Sequence, residues 1–296
     1  MIAFDILTRP EYGFLRLVFV LSAIASVTFG LVGSFVVARR IGYLSGAISH
    51  CAFGGIGFGL WLKQTIAAGG ALYSALAFTG KTPADLAGWV DPVLAAVITA
   101  VGAALILGIV QKYTRDREDA LIGILWSVGM AVGLLFLSRI ESYVPITAWL
   151  FGDITLVSSA DILTAALLAA AVCLVTLALF RPLEAVCFDP EFARLRGLSV
   201  DFYYRLLLVL VAVTVILMIR IVGMVLVIAM LTIPPSAASR LTGRLGPMIL
   251  GSILICFLGS WGGILLAVAL DFPAGPMIIV VVAAIYFVSI LLSRKR

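Results

Sequence analysis

The longest apolar run of the chain, LLLVLVAVTVILMIRIVGMVLVIAMLTIPPSAA, occupies residues 206–238 and decides the fold class. At about 1.5 Å of helical rise per residue, it approaches the length of two membrane crossings, because one crossing takes roughly 20 mostly apolar residues. Arg220 and Gly223 interrupt the run, and Pro234–Pro235 lie near its end. We therefore expect two crossings joined by a turn near Arg220–Gly223. One long kinked helix, or a pair of half-helices, is the alternative.

Seven further apolar blocks lie on either side of this run, and each is long enough to form most or all of a membrane-spanning helix. Together they predict an all-α, polytopic integral membrane protein with eight to nine transmembrane helices. The blocks are Phe14–Ala38, Ile48–Leu62, Pro92–Val110, Ala120–Ser138, Ile162–Phe180, Pro247–Leu270 and Pro276–Leu292.

The distribution of basic residues favours nine crossings over eight. Cytoplasmic loops of membrane proteins carry an excess of Lys and Arg. If the C-terminal residues 294–296 are cytoplasmic and the 206–238 run crosses twice, most of the 20 Lys and Arg residues fall on the cytoplasmic side. The N-terminus is then outside. This topology predicts one transmembrane domain over residues 1–296, with an external loop at 63–91 that includes at most a short helix, in a bacterial plasma membrane.

Composition excludes several functional classes. The chain is 63% hydrophobic and 12% charged, whereas soluble domains carry about 25% charged residues. A disordered chain, a nucleic-acid-binding protein and almost any soluble enzyme are therefore excluded, and the net charge of +5 does not indicate a nucleic-acid partner. The sequence Thr79–Thr82 resembles the end of a P-loop, but Ala75 stands where that motif needs glycine. We expect no ATP site in this chain.

His50 is the only histidine of the chain and the leading candidate for a functional residue. It lies near the start of the second apolar block, and an ionisable group at membrane depth indicates function by default. Neutral imidazole is also the commonest metal ligand. One histidine does not make a multi-histidine site, but two symmetry-related copies would supply two imidazoles. The alternative is a structural histidine that bonds a backbone carbonyl.

Two other groups of residues suggest structural roles. Arg220 lies within apolar sequence, where a buried guanidinium costs roughly 3 kcal/mol unless it finds water or a partner. We therefore assign Arg220, with Gly223 and Pro234, a structural or gating role. Four glycines at positions 54, 55, 57 and 59 indicate close helix approach. That approach serves packing within one subunit, or else makes room for a substrate path or a subunit interface.

The cytoplasmic segment 188–198 contains the signals of a short capped helix. Asp189 is a favourable N-cap, Pro190 suits the first helical position, and Glu191 favours the positive end of the helix dipole. Gly197 is the candidate C-terminal glycine. One face carries Phe188, Phe192 and Leu195; the remaining residues of the helix are Ala193, Arg194 and Arg196. This face packs on the parent subunit or the lipid surface, or it docks a cytosolic partner.

Four segments give the chain a resemblance to a known family. It resembles the membrane permease subunits of ABC importers for zinc, manganese or iron, a type II importer fold. The order and spacing of the segments carry the resemblance over nearly the whole chain. They are Gly33–Arg40 leading to Ile48–His50, Phe151–Ile154 with Leu156–Ser158, Asp189–Gly197, and Ile219–Gly223 continuing through Ile233–Ala238.

The resemblance implies a transport subunit that is not itself an enzyme and holds no permanent cofactor. Its expected partners are a second copy of itself, cytosolic ABC ATPase subunits, an extracytoplasmic metal-binding protein and membrane lipid. It implies that the 188–198 segment is the coupling helix seated in the ATPase. It also implies that His50 lies on the translocation path near the dimer axis, with zinc, manganese or iron as the transported ion.

One position departs from the family pattern. The family often has Asp four residues before this histidine, one helical turn away on the same face, and here that residue is Gly46. Ser45, Ser49, Cys51 or water would have to complete a metal shell. Two imidazoles with waters favour zinc over manganese, which prefers oxygen ligands.

Three rival functions remain. A siderophore or cobalamin importer permease would need a wider cavity. An ion-coupled secondary transporter would show paired discontinuous helices and buried carboxylates. An intramembrane enzyme would need catalytic groups that one histidine without paired acids does not supply. The residues of this chain favour the metal-ion importer over all three.

Overall fold

The structure is a computed structural model that describes residues 13–69, 82–113, 118–140, 150, 152 and 159–293. Every regular element within these ranges is a helix, so the predicted all-α class is confirmed. We number the twelve helices in chain order. They are α1 Gly13–Ala38, α2 Gly42–Ala67, α3 Pro83–Trp89, α4 Pro92–Tyr113, α5 Glu118–Leu137, α6 Ser159–Ala178, α7 Phe180–Phe188, α8 Pro190–Leu195, α9 Val200–Val222, α10 Met224–Leu241, α11 Leu245–Leu270 and α12 Ala274–Ser293.

Most of the long helices have the length and apolar composition of membrane spans. Six meet both criteria outright, namely α1, α4, α5, α10, α11 and α12. Helices α6 and α7 meet the criteria together, with a bend of 69° at Leu179, and count as a seventh span if the bent pair crosses as one. Helices α2 and α9 have 26 and 23 residues and are also long enough to cross. The predicted polytopic membrane fold is therefore confirmed. The helices in the described residues agree approximately with the predicted eight to nine crossings.

The long apolar run divides where the sequence predicts. Helix α9 ends at Val222 and α10 begins at Met224. Gly223 between them has φ +80°, and its N–H donates to the Ile219 carbonyl at 3.1 Å. A residue with a Cβ is disfavoured at this φ, whereas glycine adopts it freely. The prediction of two helices with a turn near Arg220–Gly223 therefore holds, and a single continuous kinked helix does not.

Helix α2 is longer than its hydropathy indicates. The apolar block predicts Ile48–Leu62, but the helix extends from Gly42 to Ala67. Lys63 therefore lies on α2 and not in an external loop. The short helix allowed for that loop is α3, where Thr82 Oγ1 accepts from the Asp85 N–H at 3.2 Å. The rest of the predicted loop, residues 70–81, lies outside the described residues.

The chain divides into two compact units, residues 1–45 with 147–296, and residues 46–146. In the first unit α1 is the central helix, with Phe29, Val32 and Phe35 almost completely buried. A Cβ on Gly33 would lie 2.7 Å from the Leu231 carbonyl oxygen of α10. Pro235 lacks the N–H that would otherwise donate to that carbonyl. The small residue on α1 therefore lets the two backbones meet where the α10 hydrogen-bond ladder is interrupted.

In the second unit, glycines of α2 contact the backbones of α4 and α5. A Cβ on Gly55 would lie 2.7 Å from the Ala95 carbonyl oxygen of α4. Cβ atoms on Gly54 and Gly57 would lie 2.9 and 2.6 Å from the carbonyl oxygens of Gly129 and Gly133 on α5. These glycines therefore serve close packing inside the subunit, the first of the two roles expected from their spacing.

Candidate functional site

His50 lies on α2, where its side chain is enclosed by the protein. Only 8% of the residue is exposed. Its imidazole packs on the indole of Trp126 from α5, with ring centroids 4.7 Å apart and planes inclined by 30°. Gly129, three residues along α5, allows this approach, since a Cβ there would lie 2.7 Å from the His50 carbonyl oxygen. The functional candidate is thus held between two helices of one compact unit.

The Nδ1 atom of His50 is buried and has no hydrogen-bond partner among the described residues. A buried polar atom without a partner costs about 1–3 kcal/mol and calls for an explanation. Nδ1 therefore makes no hydrogen bond to a backbone carbonyl within the described residues, and the two roles expected of His50, metal ligand and structural histidine, both stay predictions.

The three weaker candidates near His50 are engaged in other interactions. Ser45 donates to the Gly42 carbonyl at 2.6 Å and is fully buried. Ser49 is fully buried and also has an interaction partner. The thiol of Cys51 donates to the Leu125 carbonyl at 3.5 Å. Of the Ser45 and Cys51 hydrogen bonds, only that of Cys51 joins α2 to another helix, and both residues would have to exchange a hydrogen bond to bind an ion.

Within the described part of one chain, no group of three or more His, Cys, Asp or Glu side chains has the geometry to hold a metal ion. Gly46 has no side chain to offer a ligand, and the six-membered ring of Trp126 occupies the space that a side chain there would take.

The residues expected to act as a structural element or gate lie on α9, on α10 and at the turn between them. Gly223 forms the turn, and Pro234 lies inside α10, where it is buried. Because Pro234 has no N–H, the Met230 carbonyl loses its helical donor. The thiol of Cys256 on α11 replaces it at 3.9 Å. Arg220 belongs to the last turn of α9, but its side chain lies outside the described residues.

The predicted cytoplasmic helix is present as α8, with caps at both ends. The Asp189 carboxylate accepts from the Phe192 N–H at 2.9 Å, and Pro190 occupies the first helical position. Gly197 has φ +80°, and the Leu198 N–H donates to the Ala193 carbonyl at 3.0 Å, which closes a Schellman motif. One boundary was predicted incorrectly. Phe188 ends α7 and is not part of the capped helix.

The apolar residues of this segment face outward. Ala193 is completely buried in a small cluster with Val186 and Val200, and this cluster fixes α8 to α7 and α9. Phe188, Phe192 and Leu195 are 61%, 48% and 87% exposed. We call these three side chains the α8 apolar face. Within the described residues of this subunit, they are mostly uncovered.

A scan against protein-family models matches residues 11–293 to the ABC 3 transport family. The chain belongs to this family. A probable metal transport system membrane protein of Chlamydia pneumoniae is 32% identical over 272 residues, 92% of this chain and 86% of that protein. The manganese transport system membrane protein MntC of Listeria innocua is 25% identical over 286 residues, 97% and 93% of the two chains.

A comparison of folds agrees with the sequence matches. The solved structure of PsaBC from Streptococcus pneumoniae in complex with Fab aligns with a TM-score of 0.77 and 23% identity. The alignment covers 97% of this chain and 94% of that one. The family resemblance, the fold class and the multi-pass bacterial membrane location predicted from the sequence are thereby confirmed for the ABC 3 chain.

Sequence reasoning missed Trp126. It lies within an apolar block in which a tryptophan gives no sign of what it contacts, and it is far from residues 46 and 50 in the sequence. Only the packing of α5 on α2 brings its indole to the imidazole. The sequence shows that residue 46 is glycine where the family often has Asp, but it does not show that the Trp126 ring lies against this position.

Proposed function

We propose that this chain is the membrane-spanning subunit of an ATP-driven ABC importer that moves a divalent transition-metal ion into the cytoplasm, with zinc as the favoured ion. Membership of the ABC 3 transport family supports the transport role. The names of two relatives, a probable metal transport protein and a manganese transport protein, support a metal ion as substrate. The observation that carries the proposal is the buried imidazole of His50 with an unpartnered Nδ1 atom.

The choice of zinc follows from ligand chemistry. Imidazole suits zinc, whereas manganese is better served by carboxylate, carbonyl and water oxygens. His50 would supply an imidazole to the proposed site, and the preceding turn of α2, with Gly46, carries no carboxylate. Coordination by few protein ligands also suits transport, because an ion that moves through must be released again.

Manganese is the second candidate, and a specific observation favours it. The MntC relatives share 24–26% identity with this chain over nearly its whole length. Water and backbone oxygens in a dimer would supply the oxygen ligands that manganese prefers. A competition experiment separates the two ions. If zinc is favoured, the concentration of unlabelled zinc that halves the uptake of radioactive manganese is lower than the concentration of unlabelled manganese that halves the uptake of radioactive zinc. The order reverses if manganese is favoured.

A second copy of the chain completes the site in this proposal. Two copies related by a two-fold axis bring two His50 imidazoles to one ion, with waters filling the remaining positions. An extracytoplasmic metal-binding protein delivers the ion, and two cytosolic ATPase subunits drive alternation between outward- and inward-facing states. The permease carries no ATP site in this scheme, and ATP hydrolysis belongs to the partner.

The α8 apolar face is the proposed contact with the ATPase. The caps and the buried Ala193 make α8 a rigid projection that transmits a push from the partner to α7 and α9. Its three exposed apolar side chains need a groove to cover them. Arg194 and Arg196 flank the face, so we expect the rim of the groove to be acidic.

The test is ATP-dependent uptake of radioactive zinc by the reconstituted complex, wild type against His50→Ala. Loss of the imidazole leaves the ion without its protein ligand, so we expect uptake to fall by about 10- to 100-fold. Thr65→Val on the same helix is the matched control, because it removes only a hydroxyl that donates to the Trp61 carbonyl. Unchanged zinc and manganese uptake by His50→Ala would refute the role of His50.

A further inference from the structure

Trp126 occupies the place that a residue-46 side chain would take. A Cβ built on Gly46 would lie 2.7 Å from the Cη2 atom of the Trp126 indole and 3.0 Å from its Cε3 atom. Contacts below 3.0 Å do not occur between real Cβ atoms and their neighbours, so any larger residue at 46 must displace the ring. The six-membered ring of the indole is thus enclosed against the α2 backbone.

The same indole also packs against the imidazole of His50. Residues 46 and 50 are one helical turn apart on the same face of α2, so one aromatic system covers both positions. The ring centroids of His50 and Trp126 lie 4.7 Å apart with the planes inclined by 30°, a tilted aromatic pair. Such pairs contribute about 0.5–1.5 kcal/mol beyond the area they bury.

Two contacts to backbone atoms fix the register of α5 on α2 near Trp126. The Cys51 thiol donates to the carbonyl of Leu125, the residue before Trp126. Gly129 lies against the His50 and Cys51 backbone, since a Cβ there would be 2.7 Å from the Cys51 nitrogen. The indole therefore cannot slide along α2 without breaking contacts on both sides of it.

We propose that Trp126 is a positioning residue of the translocation site, which orients the His50 imidazole and keeps the preceding turn of α2 free of a metal-ligating side chain. The inference rests on the proposed function and deepens it, because it names the residue that decides which ligand types the site offers. An indole ring supplies no lone pair to a cation. The site therefore presents imidazole nitrogen without carboxylate oxygen, a ligand set that suits zinc better than manganese.

The decisive experiment introduces a carboxylate at residue 46, with and without removal of the indole at residue 126. Asp in place of Gly46 would set a carboxylate one turn from His50, but the indole blocks it. We therefore expect Gly46→Asp to lower the thermal unfolding midpoint and the zinc uptake of the reconstituted complex. The double variant Gly46→Asp/Trp126→Ala makes room for the carboxylate. We expect its unfolding midpoint to recover and its manganese-to-zinc uptake ratio to rise by at least about tenfold, or 1.4 kcal/mol.

Single variants at Trp126 separate positioning from packing. Trp126→Ala removes the ring that packs on the imidazole. We expect zinc affinity to fall by about tenfold, as for other groups that orient a ligating histidine. Trp126→Phe retains an aromatic ring beside His50, and we expect it to keep most of the affinity. Gly54→Ala is the control substitution. Its Cβ would meet the Gly129 carbonyl oxygen at 2.9 Å and not the indole, so Trp126→Ala should not rescue it.

Several results would overturn the inference. Wild-type stability of Gly46→Asp would show that the indole does not fill this space. Failure of the double variant to recover, or recovery with an unchanged ion ratio, would leave Trp126 no role in positioning. Zinc affinity in Trp126→Ala equal to that of the wild type would do the same. Normal uptake by His50→Ala would instead refute the proposed function, and the unfolding midpoints would still report on the packing of residues 46 and 126.

Discussion

The carboxylate of Asp189 accepts a hydrogen bond from the backbone N–H of Phe192 at 2.9 Å and so closes the first turn of α8. This contact fixes the orientation of Phe192, whose ring is about half exposed beside the guanidinium of Arg196, 5.0 Å from the ring centroid. The first turn of α8, which carries Phe192, is therefore held by a side-chain cap in addition to the C-terminal Schellman motif and the cluster around Ala193.

Removal of this cap should loosen α8 without unfolding the subunit. For Asp189→Ala we expect a local loss of about 1 kcal/mol, the usual cost of removing an N-cap. Amide hydrogen exchange of residues 190–195 should accelerate, while residues of α9 keep their protection. Asp189→Asn is the matched control, because its amide oxygen still accepts from the Phe192 N–H. Equal exchange rates in the wild type and Asp189→Ala would show that the cap does not hold this helix.

Truncation of the α8 apolar face should uncouple the partner and leave the fold intact. Phe192→Ala and Leu195→Ala remove exposed side chains, so we expect unfolding midpoints close to that of the wild type and a loss of ATPase co-purification. Leu254→Ala on α11 removes a side chain of similar exposure from a membrane-spanning helix and serves as the control. If both α8 variants retain the ATPase and its coupling to transport, the docking assignment is wrong.

A larger residue at Gly33 should destabilise the contact between α1 and α10. In Gly33→Val the new side chain would meet the Leu231 carbonyl oxygen and the Pro235 ring, and we expect a cost of about 1–3 kcal/mol from overpacking. The measurement is thermal unfolding in detergent. Gly102→Ala is the control, since nothing lies within 4 Å of its added Cβ. It should be neutral or stabilising by up to about 1 kcal/mol. A Gly33→Val midpoint equal to that of Gly102→Ala would contradict the packing account.

A Cβ at the turn between α9 and α10 should be costly because of backbone conformation. Gly223 has φ +80° and ψ 154°, and Gly223→Ala would force an L-residue into an extended positive-φ region that essentially only glycine adopts, at about 1–3 kcal/mol. Gly246→Ala, at an open position on α11, is the matched control. We expect a lower unfolding midpoint only for Gly223→Ala. No difference between the two variants would mean that the turn relaxes without cost.

Features with local causes could be predicted from the sequence. The caps of α8 lie within nine residues of one another, so Asp189, Pro190 and Gly197 are enough to predict the helix. The turn at Gly223 follows from an apolar run too long for one crossing. Helix α2 was underestimated because its serines and glycines lower the hydropathy of residues that are nevertheless buried against other helices.

Features that depend on long-range packing could not be predicted. The 69° bend at Leu179 was missed because hydropathy alone continues the apolar block through Phe180, although Pro182 gives a local signal: it has no N–H to donate to the Ala178 carbonyl. The contact of Trp126 with Gly46 and His50 joins residues that are distant in the sequence. An apolar block shows that a residue lies in the membrane, but not which residues of it face lipid and which face another helix.

The central claim is that His50 side chains from two copies of the chain hold one transported ion. Equilibrium binding of radioactive zinc to the purified complex tests it most directly, with the stoichiometry measured for the wild type, His50→Ala and the Thr65→Val control. We predict one zinc ion for two permease chains in the wild type and in the control, and none at this site in His50→Ala. One ion for each chain, or unchanged binding in His50→Ala, would contradict the account.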